Sequence, residues 1–212
     1  MSSGKKLKKY KAKRDFRKTP EPSGQKQPEG VGRKGPIFVI QKHQASRLHY
    51  DFRLEADGVL KSWAVPKGPS TDPSVKRLAQ PTEDHPLDYA LFEGNIPEDE
   101  YGGGTVMIWD MGLYENRSTG GKGKDLTIAE AIEAGKVEIW LEGEKIRGGY
   151  VLVKTGSMGG RKESWLLIKK DDEHADARRK PTSTQNKSVK SDRTLDEIRR
   201  QEEETSFQDS RD

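Results

Sequence analysis

The sequence predicts a mainly β fold: a small closed or nearly closed β-barrel with one short helix, flanked by flexible termini. Three observations carry that expectation. Between residues 36 and 170, short strand-like runs alternate with Gly, Asp and Pro, the punctuation of antiparallel chains rather than of strand–helix–strand units. Only one segment in that span has both helix-start and helix-stop signals. Hydrophobic residues make up 30% of the chain against 35% charged, so a core is expected in the middle and not at the ends.

Taken in order, Ile37–His43, His49–Glu55 and Val59–Val65 read as three consecutive strands, and Asp57-Gly58 is the dipeptide of a tight hairpin between the last two. A shorter strand is expected near Tyr89–Glu93. Thr105–Trp109, Lys136–Leu141, Lys145–Lys154 and Ser164–Lys169 add four more. The helix follows Thr127, because Glu130 three residues on completes a capping-box pattern and Gly135 suits the far end. Many short strands with one helix fit a barrel. Trp63, Trp109, Trp140 and Trp165 all lie in strand-like runs and are assigned to the core. Gly102-Gly103-Gly104 lacks the strand–loop–helix setting of a phosphate loop and reads as a hairpin or bulge.

Charge divides the chain into three parts. Residues 1–35 hold 12 Lys/Arg against 3 Asp/Glu, residues 36–170 hold 18 against 20, and residues 171–212 hold 9 against 12. The first part is a basic arm, suited to a polyanion through counterion release, or else simply a solubilising extension. Within it only Tyr10 and Phe16 look able to dock. The last part is expected to be a disordered charged tail, with Leu195, Ile198 and Phe207 as its apolar anchors. The chain has no cysteine, which excludes disulfides, thiolate metal sites and cysteine nucleophiles. No apolar run approaches the ~20 residues of a membrane span, and no secretory signal is recognisable, so a cytoplasmic protein without a membrane partner is expected.

The chemistry concentrates in residues 43–55. Alternation along a strand puts His49, Asp51, Arg53 and Glu55 on one face and Tyr50, Phe52 and Leu54 on the other. His43 ends the preceding strand, and the link Gln44–Leu48 returns the chain so that His43 lies beside His49. Two imidazoles and a carboxylate then converge, a set that suits Zn²⁺, Mn²⁺ or Fe²⁺ with positions left for water and substrate. The alternative is two surface histidines next to an ordinary Asp–Arg ion pair. Arg53 lies one strand step from Asp51, within reach of a bound phosphate. Lys67, Arg77 and His85 follow in the next loops, and cations with a histidine are what phosphoryl transfer requires.

The run FVIQKHQASRLHYDFRLEADGVLKSWAVPKGPS, continued by DHPLDYALFEGNIPEDEYGGGTV and preceded by Arg14–Pro22, resembles the 3′-phosphoesterase domain of bacterial DNA ligase D and its stand-alone relatives. The resemblance spans roughly Arg14 to Lys170. It implies a small β-barrel hydrolase needing Mn²⁺, or another divalent metal such as Zn²⁺ or Co²⁺. Such an enzyme trims 3′-terminal ribonucleotides and removes 3′-phosphate, leaving a ligatable 3′-OH in DNA repair. Its substrates are DNA or RNA 3′ ends in primer-template duplexes. Carried over residue by residue, His43, His49 and Asp51 match the metal ligands. Arg53, Lys67 and Arg77 match phosphate-contacting positions, His85 the histidine at the scissile phosphate, and Tyr89 its support. Arg14, Asp15, Glu21, Gln41 and Glu83 match supporting polar positions. Arg14–Glu21 is expected to fold over the active site.

Two rivals remain: a non-catalytic binder of nucleic-acid ends, and a metal enzyme acting on a small phosphoester. The intact histidine–aspartate set argues against the first and the basic arm against the second. A DNA ligase or polymerase partner is expected to be a separate chain.

Overall fold

The computed structural model describes residues 3–24, 35–156 and 163–209, so the arm's remaining residues lie outside the described ones. Among the described residues nine strands form: β1 Ile37–Gln44, β2 Leu48–Ala56, β3 Val59–Val65, β4 Lys76–Pro81, β5 Gly94–Ile96, β6 Gly104–Asn116, β7 Lys136–Gly143, β8 Arg147–Thr155 and β9 Ser164–Lys169. All pairings are antiparallel. The order β1-β2-β3-β4-β9-β8-β7-β6 returns from β6 to β1, closing an eight-stranded barrel with β5 on the outside edge. Closure removes free strand edges.

The hairpin at Asp57-Gly58 forms as read, both residues having positive φ (51° and 76°). The helix α3, Ile128–Ala134, begins in a reciprocal capping box between Thr127 and Glu130 and ends at Gly135 in the left-handed region, a cap contributing about 1 kcal/mol. The strand expected near Tyr89–Glu93 is instead a 3₁₀ helix, Leu87–Leu91, followed by the short β5. β4 went unread because KRLAQP has no apolar run. β6 extends far beyond Trp109 because its first half pairs with β1 and its second half with β7. At Gly112, between those halves, a Cβ would lie 2.0 Å from the Glu142 carbonyl oxygen.

Inside the barrel pack Phe38, Ile40, Phe52, Leu54, Trp63, Trp109 and Trp165, each at most 2% exposed, with Trp63 edge-on to Trp165 at 6.0 Å. Trp140 is the exception to the core assignment: it is half-buried, with the Arg117 guanidinium 4.2 Å from its ring centre. A second apolar cluster lies on the outer face of β1 and β6, where Val39, Val106 and Ile108 meet Tyr89, Phe92 and Tyr10. β1 is therefore buried on both faces. That decides where its polar residues end up.

The flanks are more ordered than expected. Helices α1 (Ser3–Lys6) and α2 (Lys8–Ala12) lay Leu7 and Tyr10 onto the protein and leave Lys5, Lys8, Lys9, Lys11 and Lys13 exposed. The expected disordered tail is corrected for its described part. Residues 171–201 run along the barrel, adding helices α4 (Pro181–Thr184) and α5 (Leu195–Asp209). Interior side chains donate to this segment's backbone: Tyr50 Oη to Thr182 O at 3.0 Å and Trp109 Nε1 to Gln185 O at 2.7 Å. Ile198 is fully buried and Leu195 packs beside it. The side chain of Phe207 lies outside the described residues. A segment held through its carbonyls carries little apolar signature, which is why composition pointed the other way.

Candidate active site

The odd-numbered residues of β1 and β2 share the outer face, and register pairs them: His43 opposite His49, Gln41 opposite Asp51, Val39 opposite Arg53. The segment from Thr82 to Gly103 and the N-terminal arm cover this face. They enclose a cleft of about 190 Å³ lined by Arg14, His43, His49, Asp51, Arg53 and His85, with Glu83, Tyr89 and Tyr101 around them.

The two imidazole rings stand 4.8 Å apart, centre to centre, and ligand atoms of His43, His49 and Asp51 all lie within 4.8 Å of one another. His49 Nδ1 sits 3.0 Å from the Arg47 carbonyl. Donation there leaves the Nε2 lone pair free, 3.7 Å from Asp51 Oδ2, the orientation a metal-ligating histidine needs. His43 Nε2 is buried with no hydrogen-bond partner among the described residues. Burial disfavours the charge on Asp51, but Arg53 and the two histidines outweigh it and hold the carboxyl well below its ordinary range. A buried anion beside two imidazoles with an unused nitrogen fits a divalent cation. His43, Asp51 and Arg53 are all buried, so the surface ion-pair reading does not describe this site.

Arg53 is fully engaged. Its Nε donates to Gln41 Oε1 at 2.8 Å, Nη1 to Ser62 Oγ at 2.9 Å, and Nη2 to Asp51 Oδ2 at 3.2 Å. Gln41 is equally committed, its Nε2 donating to Tyr89 O at 3.1 Å and Phe92 O at 2.9 Å. One amide thus ties the arginine to the 3₁₀ helix. His85 Nδ1 lies 2.9 Å from both Arg53 Nη1 and Glu83 O, and one atom serves only one of them at a time. Burial first, then Arg53 and Arg14, hold the His85 pKa well below its ordinary value.

The supporting residues divide. Glu21 accepts from Arg14 Nε and Tyr89 Oη, both at 2.9 Å, and Glu83 accepts from Arg14 Nη1 at 3.2 Å. Tyr89 therefore supports His85 by an edge-to-face ring contact at 4.8 Å, its hydroxyl being spent on Glu21. Asp15 pairs with Arg17 instead of the cleft. Lys67 is exposed after β3, and Arg77 lies on β4 opposite Leu167. Neither is among the lining residues.

Sequence reading missed Ser62, Lys13, Tyr101 and Gly102. Ser62 was legible, since alternation on the third strand sets it opposite Arg53. Gly102 belongs to the flagged glycine run: it lines the cleft with φ +81°, a Cβ there standing 4.0 Å from His43 Cε1. Lys13 and Tyr101 approach only in three dimensions.

The sequence model described as the DNA Ligase D 3′-phosphoesterase domain matches residues 41–154, from Gln41 through every candidate metal ligand and His85. The chain belongs to that family. Among relatives of this phosphoesterase domain, the multifunctional non-homologous end joining protein LigD of Pseudomonas aeruginosa is 50% identical over 175 residues, covering 82% of this chain and 20% of its own length. The LigD protein of Mycobacterium tuberculosis is 48% identical over 160 residues, 76% of this chain and 19% of its own. That of Mycolicibacterium smegmatis is 41% identical over 175 residues, with 79% and 21% covered. The chain spans about a fifth of the length of these curated relatives. Among the described residues no helix is long and apolar enough to cross a membrane.

Proposed function

We propose that this chain is a cytoplasmic, metal-dependent 3′-end-processing phosphoesterase of DNA repair. It removes 3′-terminal ribonucleotides and 3′-phosphate from DNA or RNA ends and leaves a 3′-OH for a ligase or polymerase. The observation that carries the reading is the two-imidazole, one-carboxylate set within 4.8 Å in a cleft it shares with Arg14, Arg53 and His85. Membership of the phosphoesterase domain family supports the same chemistry.

His43, His49 and Asp51 would hold Mn²⁺, or Zn²⁺ or Co²⁺ in its stead. When bound, such an ion supplies Lewis-acid neutralisation at the phosphate oxygens. Arg53 and Arg14 supply fixed positive charge, pre-oriented by Gln41, Ser62, Glu21 and Glu83, so little reorganisation is left for the moment of reaction. Arg77 and Lys67 are less favoured as phosphate contacts than Arg14, because the cleft is lined without them.

His85 holds the movable proton. With Nδ1 accepting from Arg53, the neutral ring carries its proton on Nε2. Arrival of a phosphate dianion offsets the two arginines that depress its pKa. For the monoester, water adds to phosphorus, the bond from phosphorus to the strand's 3′ oxygen breaks, and that oxygen takes up a proton. Once the ring has taken a second proton on Nδ1, which then donates to Glu83 O instead of accepting from Arg53, His85 either gives its Nε2 proton to that oxygen and returns to the neutral ring or keeps it in a hydrogen bond to a non-bridging oxygen. A substrate with a better leaving group separates the two, since only the first role lets it rescue His85→Ala.

The exposed lysines of α1 and α2 favour a polyanionic substrate over a small ester. Incubation with Mn²⁺ and a primer-template ending in 3′-phosphate tests the proposal. Phosphate release with gain of a ligatable end is expected, and an intact 3′-phosphate with Mn²⁺, Zn²⁺ and Co²⁺ alike would overturn it.

A further inference from the structure

Tyr101 is a large apolar side chain left 49% exposed, and it stands at the cleft that holds His43, His49 and His85. The other exposed large apolar residues described, Leu48, Leu78 and Leu91, do not line that cleft. An aromatic ring half open to water beside a buried ionic site lacks the usual reason of core packing.

Its surroundings hold it still. Glu100 N donates to Pro97 O and Gly103 N to Glu100 O, both at 3.0 Å. The turn is so tight that a Cβ on Gly103 would lie 2.6 Å from the Pro97 carbonyl oxygen. Lys13 Nζ donates to the Tyr101 hydroxyl at 2.9 Å and sits 4.2 Å from the ring centre, with the Arg14 guanidinium at 5.6 Å. The arm thus braces the ring while about half of its surface stays open.

The size of the cleft says what the ring is for. At about 190 Å³ it is smaller than the roughly 300–1,000 Å³ of pockets that enclose whole small molecules. Arg14, Arg53 and His85 among its lining suit a phosphoryl group. A nucleoside attached to that phosphate must therefore lie outside, against the rim, where Tyr101 offers an aromatic face next to two cations. Stacking on a tyrosine is indifferent to base identity, which suits an enzyme that meets arbitrary ends.

We propose that Tyr101 is the platform on which the base of the 3′-terminal nucleotide stacks while its phosphate occupies the cleft. The inference rests on the phosphoesterase reading and adds the part of the substrate that reading leaves unassigned. Tyr101 acts as a substrate-binding residue, and Lys13 positions it.

The test crosses the residue with the base. Affinity of the full chain is measured for a short single strand ending in thymidine 3′-phosphate and for the same strand with an abasic 3′-terminal unit. Tyr101→Ala is expected to weaken binding of the base-bearing end about 5- to 150-fold, the usual worth of one stacked base, while changing binding of the abasic end little. Tyr101→Phe keeps the ring and should preserve most of the affinity. A 2-aminopurine at the 3′ terminus should be quenched on binding to the native chain and not to Tyr101→Ala. Equal losses on both ends, or no loss on either, would overturn the proposal. Unchanged melting of the variants excludes unfolding as the cause. Failure of the phosphoesterase reading is distinguishable, because then the native chain itself releases no phosphate.

Discussion

Gln41→Leu is the most informative single change at the site, because one buried amide makes three bonds and touches no metal-ligand atom. Leucine removes the acceptor of Arg53 Nε at 2.8 Å and the donor to the Tyr89 and Phe92 carbonyls at 3.1 and 2.9 Å. Gln41 is fully buried, so water does not readily replace those partners. A charged donor left short costs roughly 1.5–3 kcal/mol and each stranded carbonyl about 1 kcal/mol or more. Allowing for relaxation and for the added apolar volume, the loss should be about 3–5 kcal/mol, a large share of the ~5–15 kcal/mol that holds a domain together. With a urea slope of ~2–3 kcal/mol/M, the unfolding midpoint should fall by about 1–2.5 M. Ser62→Ala is the control. It removes one Arg53 partner, at Nη1, where His85 Nδ1 also stands at 2.9 Å, and should cost less, roughly 1.5–3 kcal/mol at most. Below the new midpoint, Mn²⁺ binding to Gln41→Leu should persist, while single-turnover rate falls because Arg53 and the 3₁₀ helix are no longer coupled. A Gln41→Leu midpoint within that of Ser62→Ala, or an unchanged rate, would refute the idea that this amide ties the cleft together.

The remaining predictions concern the ligands, the acid and the tail. His43→Ala, His49→Ala and Asp51→Ala should each abolish Mn²⁺ binding in a titration and end phosphate release, with the barrel still folded by circular dichroism; full activity in strong chelator would contradict this. His85→Ala should keep metal binding and lose on the order of 10²–10⁴-fold in rate, whereas loss of metal binding would move this histidine into the ligand set. Because burial and the arginines depress the His85 pKa in the fold, the native state takes up fewer protons than the unfolded chain. Its share of stability is present above the ordinary histidine pKa of ~6.5 and is lost as pH falls toward the depressed value; His85→Gln should flatten that slope in urea titrations between pH 7 and 5. Removing residues 171–212 strips the acceptors from Tyr50 and Trp109 and the burial partner Ile198, so the shortened chain should melt well below the full one. Equal melting temperatures would restore the view of a dispensable tail.

What the sequence determined by itself was everything that local periodicity and short spacing encode. Alternation in His49–Glu55 separated Tyr50, Phe52 and Leu54 from Asp51 and Arg53, and the Gln44–Leu48 link returned His43 to His49, so the candidate metal set was readable at a separation of a few residues. Thr127, Glu130 and Gly135 marked α3 for the same reason: a cap acts within one turn. The tertiary structure alone decided the rest, because it depends on contacts between distant segments. β1 is buried on both faces only because the 3₁₀ helix and the arm cover the barrel exterior, and that cover turns a polar strand face into a cleft. Lys13 meets Tyr101 across a sequence separation no periodicity spans, and Arg77 lies on β4 paired with β9 instead of in a loop at the cleft. Residues 171–201 look disordered by composition and are ordered by hydrogen bonds to their carbonyls, which every residue type possesses alike.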